Sequence, residues 1–172
     1  EIKGDSIKGV LYAGNHSKTI IEGVLDNDFE LPSEYSLTSL KEGAEKFDFS
    51  FENTDGQLIS INDDFYKGKS MVIQLMGSWC PNCLDESKFY VDYINNNNLK
   101  DIEFVGLAFE YAKTKEKALR SILKLKNELG INYPILLAQY AGTDKNKALK
   151  KFPMLNNIIS YPTTIFLDKN KE

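Results

Sequence analysis

Met71-Val72-Ile73-Gln74-Leu75-Met76-Gly77-Ser78-Trp79-Cys80-Pro81-Asn82-Cys83-Leu84-Asp85-Glu86 is the stretch that decides the reading of this chain. An apolar run of strand length leads into the only two cysteines, Cys80 and Cys83, and a helical pattern follows. A strand that delivers Cys-x-x-Cys to the first turn of a helix suits thiol–disulfide chemistry. The sulfurs lie close enough to bond, and the unpaired N–H groups of that turn stabilise a thiolate. Pro81 fits the first helical position, where its missing N–H costs nothing, so Cys80 falls at or near the N-cap. Cys80 is therefore expected to be the exposed, activated sulfur and Cys83, one turn in, the shielded one. A zinc site would need four ligands. No second cysteine pair exists, and the single histidine, His16, sits far upstream. A purely structural disulfide is disfavoured too, because a two-residue spacing closes a very short loop and removes little unfolded-state entropy.

Outward from that stretch, the pattern is α/β. Phe47, Phe49 and Phe51, then Asp55-Gly56, then Leu58, Ile59 and Ile61 read as a β-hairpin with a tight turn. Asn62–Lys69 reads as a short helical turn closed by Gly68. Met71–Met76 is apolar almost throughout, as in a central strand covered on both faces. The helix from Cys80 to about Tyr93 ends in the asparagine run 95–98, to which no function is assigned. Ile102–Ala108 is a second strand. Ala118, Leu119, Ile122, Leu123, Leu125 and Leu129 recur at helical spacing, with Gly130 as the natural C-cap. A short strand at Pro134–Ala138 and a basic helix over Lys145–Phe152 follow, and the lysines of that helix are a solvated face. Upstream, Ser6–Tyr12 and Thr19–Leu25 flank the turn-rich Ala13-Gly14-Asn15-His16, which reads as a hairpin with His16 in an exposed turn. Asn27–Lys46, with Pro32, Ser33 and Gly43, reads as a linker or as a segment wrapped on the domain surface. Two regions result: 1–46, an N-terminal β-hairpin and linker left over from a preceding region, and 47–172, the domain proper.

Composition narrows the function. Among 172 residues, 42% are hydrophobic and 27% charged, which is ordinary globular usage. The net charge of −4 and the scattered lysines give no nucleic-acid footprint. No apolar stretch approaches the ~20 residues of a membrane span, so anchoring would need sequence absent from this chain. The start at Glu1, without Met or signal peptide, suggests a mature or trimmed fragment.

Three separated features together resemble the thioredoxin superfamily, and within it the TlpA/ResA-like branch of the AhpC/TSA–redoxin group. They are Trp79–Cys83 after a buried strand, Tyr161-Pro162-Thr163-Thr164 before the apolar Ile165-Phe166-Leu167, and the hairpin sequence Phe49–Ile61. The resemblance spans about Phe47 to the C-terminus. It implies a thioredoxin-like fold whose C-terminal edge strand and closing helix are apparently missing here. It implies Cys80 as attacker and Cys83 as resolver, and a cis Tyr161–Pro162 bond beside them. Trp79, Pro81, Tyr161 and Thr163 would meet the partner chain, with no metal and no cofactor. Glu86 completes a Cys-x-x-Cys-x-x-Glu pattern that in this branch modulates cysteine acidity and relays protons. Gln74 stands where thioredoxin carries a buried acid, which turns attention further to Glu86. Glu110, after the second strand, faces the same end of the sheet.

The function this implies is a thiol–disulfide oxidoreductase of the bacterial periplasm or cell envelope. It would reduce disulfides of partner proteins and be recharged by an upstream thiol donor. Two alternatives are set against it. A peroxiredoxin-like thiol peroxidase needs a threonine three residues before its cysteine and an arginine for the peroxide. Gly77 fills that position, and Arg120, the only arginine, lies in the second long helix. A metal-binding or redox-inert module on this fold would use Cys-x-x-x-Cys and a histidine from the C-terminal half, and neither is present.

Overall fold

In the computed structural model the described residues are 1–13, 17–31, 33 and 37–172. His16 and Pro32, assigned above to a turn and a linker, lie outside them. The chain divides into two compact units, 1–33 and 34–172.

The first unit is an antiparallel sheet of three strands, β1 (Ile2–Lys3), β2 (Ser6–Ala13) and β3 (Ser17–Val24), in that order. β2 and β3 form the expected hairpin, in register from Ser6 opposite Val24 to Ala13 opposite Ser17. The short β1 adds a strand that sequence patterning did not pick out, with Ile2 opposite Ile7.

The second unit is a mixed six-stranded sheet flanked by helices. Its elements are β4 (Ser50–Glu52), β5 (Leu58–Ser60), β6 (Ser70–Met76), α1 (Pro81–Asn96), β7 (Ile102–Phe109), α2 (Lys115–Leu129), β8 (Ile135–Gln139), α3 (Lys145–Leu149) and β9 (Thr163–Leu167). The strand order is β5-β4-β8-β7-β6-β9, with β6, β7 and β8 parallel and β9 antiparallel to β6. β6 is thus interior, flanked by β7 and β9 and buried along nearly its whole length, as its apolar run implied. Segment 39–41 also belongs to this unit, since Leu40 bridges Leu155 and the Lys41 N–H donates to the Met154 carbonyl at 2.8 Å.

Local chemistry accounts for these elements. The β4–β5 turn closes on Asn53, whose side-chain oxygen accepts from the N–H groups of Asp55 and Gln57, while Gly56 takes φ 78°. Thr114 caps α2 at its start, and Gly130 ends it at φ 65° in the left-handed region. α1 runs past Tyr93 into the asparagine tract. There the Asn96 and Asn97 side chains donate to the carbonyls of Asp92 and Tyr93, both at 2.8 Å, adding side-chain bonds to the last turns of the helix.

The period-2 alternation of β6 splits the core into two layers. Met71, Ile73 and Leu75 join Phe47, Phe109 and Phe152 on one face of the sheet. Val72 and Met76 join Cys80, Cys83, Tyr90, Ile122 and Ile135 on the face that α1 and α2 cover. Gln74 lies between Val72 and Met76 in that alternation, so the strand carries an amide to the helix side.

Candidate active site

The cysteines sit where β6 hands over to α1. Cys80 is the N-cap of α1 and Pro81 the first helical residue. The Cys80 sulfur accepts from the Cys83 N–H at 3.4 Å, so it takes up one of the orphan donors of the first turn. Its thiol also points to the Tyr161 carbonyl, 3.5 Å away, and the Tyr161–Pro162 peptide bond is cis. Residues 81 places apart in the chain therefore meet at one sulfur. The expectation of an exposed Cys80 needs correction. Only 5% of it is accessible, against 0% for Cys83, because Cys83 lies beneath it and the Tyr161 carbonyl stands against its sulfur. Burial drives the Cys83 thiol far above the ordinary cysteine range, aided by its hydrogen bond to Cys80 and by the charge of Glu86.

Two carboxylates frame the motif. Downstream, Glu86 accepts from Gln74 Nε2 at 2.7 Å and from Thr164 Oγ1 at 2.8 Å. It is half-buried, so it is no solvated surface glutamate. Upstream, Glu110 is 2% exposed, and both its oxygens accept from Ser78, one from the backbone N–H at 2.8 Å and one from the hydroxyl at 2.7 Å. Burial raises the Glu110 carboxyl above its ordinary value, and the two Ser78 bonds pull it partly back.

The outer wall is aromatic. Trp79 donates its indole N–H to the Phe109 carbonyl at 2.8 Å. Its ring lies 4.6 Å from that of Tyr111 and edge-on to Tyr161 at 6.1 Å. This placement depends on Gly77. A Cβ there would overlap the Trp79 indole nitrogen and stand 2.9 Å from the Phe109 carbonyl oxygen, both inside contact distance.

Of the residues singled out in sequence, Trp79, Cys80, Cys83 and Tyr161 lie together, with Pro81 and Pro162 as chain neighbours of the sulfurs. Glu86 joins them through Gln74, whose Nε2 also reaches the Cys83 carbonyl at 3.3 Å. Thr163 differs: its hydroxyl turns to the Ser160 carbonyl at 2.8 Å, closing the turn before β9. Its neighbour Thr164 is the residue that reaches the cluster. Sequence reasoning also passed over Ser78 and Tyr111. Period-2 alternation in β9 was the available signal for Thr164, and nothing local signalled the other two. Among the described residues, no group of three or more acidic, histidine or cysteine side chains is placed to hold a metal ion.

The Redoxin family matches residues 41–172, about three quarters of the chain. The chain belongs to the Redoxin family. This redoxin is 26% identical over 130 residues to thioredoxin-like protein YneN of Bacillus subtilis (strain 168), covering 76% of this chain and 67% of that protein. It is 26% identical over 99 residues to thiol-disulfide oxidoreductase ResA of the same organism, covering 58% of this chain and 51% of ResA. It therefore spans about half to two thirds of the length of these relatives. Its fold is shared with a thiol:disulfide interchange protein of the thioredoxin family from Chlorobium tepidum (TM-score 0.54, 22% identity, 74% of this chain and 79% of that one). It is shared as well with the thioredoxin domain of a thiol-disulfide oxidoreductase from Bacteroides vulgatus (TM-score 0.54, 18% identity, 78% and 82%). The redoxin is thus a ResA-like member of the thioredoxin superfamily.

Proposed function

We propose that this chain reduces disulfides of partner proteins through a Cys80–Cys83 dithiol, in the bacterial periplasm or cell envelope. The observation that carries the reading is the pairing of an N-cap cysteine with a buried, poorly acidic one, beside a carbonyl that precedes a cis proline. The Cys80 thiolate attacks one sulfur of the partner disulfide. That bond breaks, the other partner sulfur leaves as a thiolate and takes a proton, and a Cys80–partner mixed disulfide forms. Cys83 then gives up its proton, for which Glu86 is the acceptor, and attacks the Cys80 sulfur. The partner's second sulfur leaves and is protonated. Two electrons and two protons have passed to the partner, and Cys80–Cys83 is a disulfide that an upstream thiol donor must reduce. The Tyr161 backbone, with Trp79, Pro81, Pro162 and Thr163 around it, meets an extended segment of the partner. Similarity to bacterial thiol–disulfide proteins supports the envelope as the place of action.

Insulin-disulfide reduction tests the reading. Cys80→Ser is expected to abolish turnover, and Cys83→Ser to stop after one step with the mixed disulfide trapped. Peroxide consumption and copper binding on the same sample test the two alternatives. Undiminished insulin reduction by Cys80→Ser would overturn the proposal.

A further inference from the structure

Beneath α1 the sheet offers a polar pair in an otherwise apolar layer. Gln74 on β6 and Thr164 on β9 are direct cross-strand partners, and period-2 alternation turns both toward the helix. Each donates to a different oxygen of Glu86, at 2.7 and 2.8 Å. The Gln74 amide has no freedom to turn over. Its nitrogen faces two groups that only accept, the Glu86 carboxylate and the Cys83 carbonyl, while its oxygen accepts from the Ser87 hydroxyl at 3.0 Å. Gln74 is 1% exposed and Ser87 0%. The Thr164 hydroxyl is tied in turn to the Tyr90 hydroxyl at 2.9 Å.

We infer that Gln74 and Thr164 are positioning residues for the redox centre: the cross-strand pair clamps the Glu86 carboxylate behind Cys83 and so sets how readily the cysteine pair ionises. This rests on the thiol–disulfide reading and deepens it. A glutamate side chain on an exposed helix turn samples many rotamers, and its charge is screened by water. Held at both oxygens, the carboxylate keeps a fixed negative charge near Cys83 and opposes a second one there. Its charge is among the causes that raise the Cys83 thiol. The other ionisable groups facing this pair are Cys80 and Tyr90 from the α1 side, Tyr133 ahead of β8, and Tyr161 ahead of β9. Burial raises all three tyrosines above the ordinary phenol value. Gln74 takes no part in bond making, and its effect runs through Glu86.

The test is a thiolate absorbance titration of the reduced protein, with Gln74→Met and Thr164→Val each made in the wild-type and Glu86→Gln backgrounds. Glu86→Gln is expected to lower the apparent titration of the pair by roughly one unit, by removing a like charge. Gln74→Met and Thr164→Val should each lower it by part of that amount, because an unclamped carboxylate swings to solvent. In the Glu86→Gln background both shifts should vanish, which a merely structural role would not produce. The inference is overturned if Glu86→Gln leaves the titration unchanged. It is equally overturned if the clamp variants shift nothing, or shift it as much without Glu86 as with it. If Gln74→Met does not fold, the isosteric Thr164→Val carries the same test. Because no partner protein enters the titration, it fails independently of the proposed function. Shifts in a chain that cannot reduce insulin would sink that reading and leave the clamp standing.

Discussion

Glu110 and Glu86 sit one upstream and one downstream of the same cysteine motif, and they are held in different ways. Glu110 is fully buried, and both of its oxygens serve one residue of the loop that carries Trp79 to the site. Glu86 is half-buried, and side chains from two strands hold it. A carboxylate tied to a backbone N–H fixes the chain path. A carboxylate tied to side chains at the edge of solvent can change charge or move without disturbing the fold. The first holds the loop that carries Trp79, and the second is the one to which the proposed chemistry assigns a proton.

Truncation should separate them most widely. Glu110→Ala leaves the Ser78 N–H and hydroxyl without acceptors and opens a cavity, at an expected cost of about 2–4 kcal/mol. Glu86→Ala should cost clearly less, because Glu86 is itself only half-buried and its partners keep other bonds, Gln74 Nε2 to the Cys83 carbonyl and the Thr164 hydroxyl to that of Tyr90. Urea unfolding of both variants checks this, and equal midpoints would erase the distinction.

The pH dependence of Glu110 gives a smaller effect with a definite sign. Burial raises its folded-state value above that of an ordinary glutamate, about 4.3 in the unfolded chain. The folded protein therefore binds the proton more tightly, and the stability from that proton is fully present below the unfolded value. It is lost as pH rises through the folded value. Glu110→Gln removes this dependence while keeping a partner for Ser78. The variant should compare best with the wild type at pH 8 and lose that advantage toward pH 4. Denaturation at several pH values would break the assignment if the difference stayed flat.

The smallest effect tests the loop that Glu110 holds. Trp79→Phe loses the indole bond to the Phe109 carbonyl and should lower stability by about 1 kcal/mol. A melting point equal to wild type would mean that Ser78 and Glu110 hold this loop without the indole.

Much of this site is legible in sequence because its signals are local. Cys80 before Pro81, the buried strand ahead of it, and Gly130 after a helical pattern each declare a conformation within a few residues. The clamp on Glu86 is not local. It depends on Gln74 standing opposite Thr164, a register between strands 90 residues apart that no short pattern specifies. The burial of Cys80 escaped for the same reason. Helix-start chemistry places the sulfur, but the distant Tyr161 carbonyl stands against it. Ser78 and Glu110 meet across 32 residues, so the sequence places Glu110 at the right end of the sheet without naming its partner.

Gly77 bears on what this scaffold can become. The threonine that a peroxidatic site requires would fall at this position, where even a methyl group collides with the Trp79 indole and the Phe109 carbonyl oxygen. Gly77→Thr alone therefore displaces the tryptophan before it can serve a peroxide, and Trp79→Ala alone only strips the outer wall. A route from one chemistry to the other therefore requires positions 77 and 79 to change together.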